Sequence, residues 1–284
     1  MLQMLFLILS HNTMMKKPEK NIKAFYNQYY DNIRDKRANS PYVLRRYVHA
    51  TQYEGILQYV QPGMKVLDAG CGDGVLSVQM ANKGAIVTGC DFSEPNIAAA
   101  KKYVSQQKIA NVEFLVGDAE NLPFSDNSFD LVVSSHVLEH LPDFDKGLRE
   151  IMRVTKKRAI IAIPTVLNLC SFVQVGRGWF WLKGPRSFFA LIRGFFLTCK
   201  ALFLREEGVD EMYGGAKVPH IFRFPLVMKK KVKRLGFDLV SYHADCLCLP
   251  YFESALPIMR YLDRFRDKMF LRDLGYGTTF VIEK

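Results

Sequence analysis

The 284-residue sequence lacks the cysteine patterns of a disulfide scaffold or a zinc domain. Its six cysteines are scattered, and the one CxC, at Cys246 and Cys248, has no second Cys/His pair at zinc spacing. We therefore expect reduced, partly buried thiols of the kind found in cytosolic proteins, and no structural metal.

Long apolar runs are also scarce, and the apolar stretch at residues 1–10 is about half of the ~20 residues that a spanning helix needs. No basic segment precedes this stretch and no clear small-residue cleavage site follows it, which argues against a secretory signal. Two interpretations of residues 1–14 stay open. Either the start codon is assigned upstream of Met14 and Met15, or the stretch is a short anchor that dips into a membrane.

Acidic residues are the minority, because 28 Asp and Glu stand against 39 Lys and Arg and give a formal net charge of +11. Such an excess suits an acidic partner, and nucleic acid and an anionic membrane surface both qualify. With 49% apolar residues the chain is expected to be globular rather than disordered. Its length suits one α/β domain with additions, or two small domains.

Five β-like apolar runs alternate with helix-like segments between residues 64 and 165. They are MKVLDAG, AIVTGCDF, VEFLVGD, FDLVVSSHV and AIIAIPT. Polar and apolar residues hardly alternate within them, which indicates that both faces of the sheet are covered. The pattern predicts a Rossmann-like α/β fold with a doubly wound, mostly parallel sheet. GFDLVSYH and YGTTFVIEK, nearer the C-terminus, are expected to complete seven strands as a late antiparallel pair.

The same pattern divides the chain into four parts. Within the N-terminal part, Ser40 followed by Pro41 resembles the start of a helix. A long segment without the strand–helix rhythm follows the fifth β-like run, and a segment of this kind is usually functional. The predicted parts are a helical cap at 1–60, a cofactor-binding core at 61–164, a basic aromatic insertion at 165–220 and a completion of the sheet at 221–284.

The segment VLDAGCGDG, at residues 66–74, has the pattern of a strand that ends in a glycine turn against a ligand. Asp91 follows Gly70 by 21 residues, where a carboxylate can accept from both hydroxyls of a ribose. An NAD site would need glycine where Val75 stands, and Asp68 inside the turn would repel its phosphates. S-adenosylmethionine (SAM) carries an ammonium and a sulfonium instead, so the turn favours SAM.

Four motifs in order resemble the class I SAM-dependent methyltransferases that modify small molecules and lipids, with ubiquinone and menaquinone methyltransferases among the nearer relatives. These motifs are VLDAGCGDG, GCDFSEPNI, VGDAENLPFSDNSFDLVVSSHVLEHL and GLREIMRV. The resemblance covers about residues 62–165, whereas the segments on either side match only loosely.

The resemblance implies a set of contacts to SAM in the first glycine turn. Gly70, Cys71 and Gly72 would lie against the methionine part of the cofactor. Asp68 in the same turn would hold its ammonium group through hydrogen bonds or water. Asp91, at the end of the second strand, would bind the ribose.

The resemblance assigns the remaining contacts to the next strand ends. Phe92 would cover the adenine, unless it is simply a core residue. Asp118 would accept from the adenine amino group, and Ala119 would donate its backbone N–H. Ser135 and His136 would lie beside the methyl group.

Methyl transfer requires a nucleophile in line with the methyl group, and a base where that nucleophile carries a proton. His136 and His140 at the mouth of the fourth strand are the first candidates for this base, and His220 is a further one. His136 and His140 are in helical register, but no third ligand is evident, so no metal is expected. Three tyrosines are candidates for a lid over SAM, with a packing role as the alternative: Tyr26, Tyr29 and Tyr30.

The insertion carries the only information about the substrate. Residues 185–204 are predicted to form one helix, on which Arg186, Arg193 and Lys200 are seven apart and share a face. Bulky apolar residues occupy the opposite face, and Trp179 and Trp181 precede the helix, a pattern typical of an interfacial membrane helix. Packing on the protein itself, or dimerisation, is the alternative. The apolar set is Phe188, Leu191, Ile192, Phe195, Phe196, Leu202 and Phe203.

These observations predict a SAM-dependent methyltransferase that acts on a hydrophobic or lipid-linked small molecule. The enzyme would be cytoplasmic and would touch the inner face of a membrane through residues 177–205. A soluble metabolite, RNA and a role as a non-catalytic partner subunit stay open, although no RNA-binding module is visible. An NAD(P) oxidoreductase is disfavoured by Val75.

Overall fold

The computed structural model describes residues 39–210 and 219–284. Seven strands form one sheet in the order β3-β2-β1-β4-β5-β9-β8, and β6 and β7 pair apart from it. The strands are β1 Lys65–Ala69, β2 Ile86–Asp91, β3 Val112–Val116, β4 Phe129–Ser135, β5 Thr155–Pro164, β6 Gly208–Asp210, β7 Ile221–Arg223, β8 Asp238–Ala244 and β9 Gly277–Glu283.

Eight α-helices lie within the described residues. The first starts two residues later than Ser40-Pro41 suggests, because Tyr42 is the residue at its N-terminal boundary and has an extended backbone. The helices are α1 Val43–Leu57, α2 Val75–Asn82, α3 Glu94–Gln107, α4 Phe144–Val154, α5 Leu169–Val175, α6 Pro185–Phe203, α7 Pro225–Arg234 and α8 Leu256–Leu262.

Strands β1 to β5 pair in parallel, and β9 inserts antiparallel between β5 and β8. The predicted doubly wound, mostly parallel sheet of seven strands is therefore confirmed, including its late antiparallel pair. Strand order reverses between β1 and β4. In open α/β sheets such a reversal leaves a crevice at the carboxyl ends of the strands, where ligands bind.

Helices cover both faces of the sheet and explain why its strands lack polar alternation. On one face Leu67 of β1 belongs to a core with Leu148 of α4 and Met228 of α7. On the other face Val66 of β1 belongs to a core with Met80 of α2. Successive residues of β1 thus face two different apolar cores.

Helix α6 packs on α5 through small residues, so the two backbones approach closely. A Cβ added at Gly194 would lie 1.8 Å from the carbonyl oxygen of Phe172, and one added at Gly176 would lie 1.8 Å from that of Ala190. The bulky apolar residues of α6 mostly point elsewhere and are exposed. The buried residues of α6 are Ser187, Ala190, Gly194, Thr198 and Ala201.

Among the described residues, no helix combines the length and the apolar character that crossing a membrane requires. The N-terminal stretch at 1–14 and the three tyrosines at 26, 29 and 30 lie outside the described residues.

Candidate functional site

The glycine turn after β1 is a cradle that only glycine can form at two of its positions. Gly70, Gly72 and Gly74 have φ of +84°, +55° and +76°. A Cβ at Gly70 would lie 2.1 Å from the side chain of Val137, and one at Gly74 would lie 2.5 Å from Phe114. The turn places backbone close to the mouth of β4 and leads directly into α2.

Two buried carboxylates accept hydrogen bonds in and around the glycine turn. Asp91 accepts from the backbone N–H of Gly72 at 2.9 Å and from that of Ser93 at 2.9 Å. Asp68 accepts from the Ser77 hydroxyl at 2.6 Å. Burial, with a smaller contribution from the charge of Asp91, raises the pKa of Asp68 to about 7. Burial also raises the pKa of Asp91.

These two carboxylates suit a cationic ligand. Each is buried, and the charge of Asp91 adds to the cost of ionising Asp68. A phosphate placed here would add further negative charge, whereas an ammonium or a sulfonium would offset it. The residues of the cradle therefore fit SAM. Cys71 lies in the same turn, and burial raises the pKa of its thiol, so it contributes as a neutral side chain.

Cofactor binding should release protons near neutral pH. Because its pKa of about 7 lies above that of an unfolded Asp, Asp68 contributes stability to the free protein that is lost as pH rises through about 7. A bound cation lowers this pKa, so SAM binding at pH 7 should release roughly 0.5 proton from Asp68, and affinity should rise between pH 6 and 8.

Calorimetry in two buffers of different ionisation enthalpy measures this release. Asp68→Asn should lose the buffer dependence that comes from this site. Asp130→Asn is the matched control, because Asp130 pairs with Lys156 at the opposite end of β4. Equal buffer dependence in the two variants would contradict the assignment.

The ends of β2 and β3 carry the other predicted cofactor residues. Asp118 is exposed beyond β3, and its carboxylate accepts from the backbone N–H of Glu120 at 2.8 Å. Phe92 and Ala119 are half-buried. The structure thus brings Asp68, Asp91 and Asp118 to the carboxyl ends of three adjacent strands, and their contacts to SAM stay a prediction.

At the end of β4, beyond the half-buried Ser135, His136 adopts an uncommon backbone conformation. Its φ is +56°, in the left-handed region that non-glycine residues seldom occupy. The ring Nδ1 lies 3.1 Å from Oε1 of Glu139, and the ring Nε2 contacts the amide of Gln52 from α1. Gln52 in turn donates to Asp245 at 3.1 Å. This contact chain fixes the orientation of the imidazole.

All three predicted histidines lie around Glu139. The ring of His140 stacks on that of His220 with centroids 4.7 Å apart, and His140 Nε2 lies 3.8 Å from Glu139 Oε1. His140 Nδ1 lies 3.1 Å from the carbonyl oxygen of Pro219. Sequence reasoning missed Glu139, Gln52 and Asp245. Only Glu139 carries a local signal, since it stands between His136 and His140 in HVLEH.

Burial and mutual contacts shift the pKa values of Glu139 and of the two stacked histidines. Burial alone would raise the pKa of Glu139, but contact with His136 and the charges of the histidines lower it to about 2. Burial lowers the pKa of His140 and of His220 to about 4, although Glu139 opposes both shifts. At neutral pH, Glu139 is therefore a carboxylate and the two stacked rings are neutral.

Comparison with known proteins agrees with this geometry. Residues 67–163 match the family described as a methyltransferase domain. A demethylmenaquinone methyltransferase of Corynebacterium efficiens is 46% identical over 97 residues, which cover 34% of this chain but only 39% of that relative. One from Listeria monocytogenes is 38% identical over 193 residues, which cover 66% of this chain and 75% of that relative.

A solved structure shares the fold. The magnesium protoporphyrin IX methyltransferase of Synechocystis PCC 6803, with bound SAH, is 16% identical and gives a TM-score of 0.56 over 92% of this chain and 99% of its own. An open α/β sheet with an acidic glycine cradle at its reversal point is the arrangement expected of a SAM-binding protein. The chain belongs to the class I SAM-dependent methyltransferases. The predicted cofactor is thereby confirmed, and an NAD(P) oxidoreductase is excluded.

Proposed function

We propose that this enzyme methylates a hydrophobic aromatic acceptor of the quinol type, which it reaches from a membrane surface. The observation that carries the proposal is the position of His136, at the end of β4 beside the cofactor cradle and in contact with Glu139. A base at this point is useful only for an acceptor that carries a proton, such as an aromatic hydroxyl. The relatives named as demethylmenaquinone methyltransferases support a ring of this kind.

The chain's own residues supply orientation and proton transfer. Bound SAM provides a methyl group on a sulfonium, which leaves as a neutral thioether when a nucleophile takes the methyl. The turn at Gly70 and the carboxylate of Asp91 hold the cofactor at the carboxyl ends of the strands. The acceptor hydroxyl takes the place of the Gln52 amide at Nε2 of His136, and this nitrogen accepts the hydroxyl proton. The carboxylate of Glu139, beside Nδ1, stabilises the resulting imidazolium. Deprotonation makes the acceptor oxygen, and the ring carbons next to it, better nucleophiles.

A labelled-methyl assay tests the acceptor class. The full chain with labelled SAM is offered a membrane lipid extract, a soluble metabolite extract or total RNA, and products are identified by mass analysis. We expect label in a lipid-extractable product whose fragments place the methyl on an oxygenated aromatic ring. Label confined to soluble metabolites or RNA would overturn the acceptor class, and binding of SAM without transfer to any pool would favour a non-catalytic subunit.

Helix α6 supports the approach from a membrane. Its packing on α5 through small residues turns its bulky apolar residues outward, and Phe196 and Phe203 are 66% and 86% exposed. Clusters of exposed bulky apolar residues often mark a surface that binds a partner or a membrane. The exposed apolar residues of α6 are Phe188, Phe189, Ile192, Phe195, Phe196, Leu202 and Phe203.

The charges of α6 favour an anionic lipid surface as this partner. Arg186, Arg193 and Lys200 are exposed and recur every seven residues, and α6 contains no acidic residue. Trp179, 44% exposed just before the helix, suits the headgroup level. An amphipathic helix with aromatic and basic residues binds in the interfacial plane, where each cation contributes about 1 kcal/mol near anionic lipids.

Reversing these charges should release the protein from membranes. The triple variant Arg186→Glu, Arg193→Glu and Lys200→Glu should bind vesicles of phosphatidylglycerol and phosphatidylcholine at least about 100-fold more weakly than the unmodified chain, as measured by co-sedimentation at low salt. The matched control reverses three exposed lysines on or beside α3: Lys101, Lys102 and Lys108.

The control triple changes the net charge by the same amount and should keep its binding. An equal loss of vesicle binding in both triple variants would show that net charge, and not α6, determines the binding. Absence of vesicle binding by the unmodified chain, together with a dimer in sedimentation velocity that Phe196→Ser dissolves, would assign α6 to self-association instead.

A further inference from the structure

A carboxylate and two imidazoles converge beside the base. Glu139, His140 and His220 each offer a ligand atom, and these atoms lie within 4.8 Å of one another. Glu139 Oε1 and His140 Nε2 are 3.8 Å apart. Ligands bound to a metal at about 2.0–2.2 Å stand roughly 3–3.5 Å apart, so small side-chain rotations would close the set around an ion.

The surroundings hold this set in a ligating arrangement. The carbonyl oxygen of Pro219 lies 3.1 Å from His140 Nδ1, and a bond there turns Nε2 toward Glu139. Metal-binding histidines commonly donate their second N–H in this way. Glu139 is 1% exposed, and in the described part of the chain neither of its carboxylate oxygens has a well-aligned hydrogen-bond partner. A buried carboxylate without aligned donors costs free energy that a cation would recover.

We propose that Glu139, His140 and His220 bind a divalent transition-metal ion. Two imidazoles and one carboxylate are typical ligands of Zn²⁺, Fe²⁺ and Co²⁺, whereas Mg²⁺ and Ca²⁺ prefer oxygen ligands alone. Three protein ligands leave at least one coordination position open for a substrate oxygen.

The role of this ion rests on the proposed function. An acceptor hydroxyl bound at the open position becomes more acidic, because the cation stabilises its conjugate base. The proton passes to His136. The acceptor then forms a bond to the methyl carbon as the bond from that carbon to sulfur breaks. The products are the methylated acceptor, the demethylated cofactor and an imidazolium on His136.

Cobalt titration tests the site without cofactor or acceptor. The full chain is treated with a chelator, dialysed and titrated with Co²⁺, and the visible absorption of the bound ion is recorded. We expect one equivalent to bind and Zn²⁺ to displace it. Glu139→Gln and His220→Gln should each weaken binding by more than about 100-fold, because each removes a ligand. His243→Gln is the control, since His243 is buried on β8 beside Tyr59.

Failure of the metal site can be distinguished from failure of the proposed methyl transfer. Absence of stoichiometric Co²⁺ binding, or binding that survives both ligand variants, would overturn the metal site whatever the activity. Should Glu139→Gln fail to fold, His220→Gln decides the result. Methyl transfer that persists after chelation would leave the proposed acceptor intact and remove the ion from the reaction.

Discussion

Replacing Gly70 by alanine is expected to abolish SAM binding and to lower the free energy of unfolding by roughly 2–5 kcal/mol. Two costs add at this position. An L-residue at a φ of +84° costs about 1–2 kcal/mol, and the new methyl group would lie 2.1 Å from Val137. Val137 follows His136, so relief of the overlap would also move the base away from the cradle.

Gly236 provides a matched control for this experiment. Its φ is +85°, almost the same as that of Gly70, but a Cβ there meets nothing within 4 Å. Gly236→Ala should therefore cost only the conformational term, about 1–2 kcal/mol, and should leave the SAM dissociation constant unchanged. Denaturant unfolding and calorimetry measure the two quantities. Equal destabilisation by both variants would show that the contact with Val137 is easily relieved.

The cradle could be predicted from sequence because its signals are contiguous. Glycines follow the apolar strand residues directly, and Asp68 and Asp91 stand at the ends of adjacent strands. Backbone conformation and strand order largely determine such a site, and both leave local traces. The sheet was predictable for the same reason, since each strand is a short apolar run between turns.

The environment of the bases could be predicted only in part. His136 and His140 lie within one motif, but the stacking of His220 on His140 depends on how the chain returns from the insertion. The Pro219 carbonyl that contacts His140 is 79 residues away in sequence. Gln52 of α1 contacts His136, and Asp245, just after β8, accepts a hydrogen bond from Gln52. The sequence around Gln52 and Asp245 gives no sign of these contacts.

The buried face of α6 could not be predicted from the hydrophobicity of its residues alone. Large apolar residues would ordinarily be assigned to the interior. Here Ala190 and Gly194 are buried because small residues let the backbones of α5 and α6 approach, and the phenylalanines remain outside. The heptad spacing of the cations was visible in the sequence, whereas the buried row of small residues required the helix pair.

His136→Gln is expected to reduce kcat by about 10²–10⁴-fold while the SAM dissociation constant changes by less than about threefold. Glutamine fills a similar volume and can still bond to Glu139 and Gln52, but it cannot accept a proton at neutral pH. The loss should therefore appear in the chemical step and not in cofactor binding. His243→Gln, a buried histidine on β8, should keep kcat within about threefold of the unmodified enzyme.

A split between kcat and KM distinguishes a base from a packing residue. Loss of a base lowers kcat but leaves KM for the acceptor and the SAM dissociation constant nearly unchanged, because the base acts only in the chemical step. Loss of a packing residue would instead weaken the binding of both ligands. A normal kcat in His136→Gln, or a fall in kcat matched by an equal loss of SAM binding, would assign His136 a structural role and move the search for the base to His140 and His220.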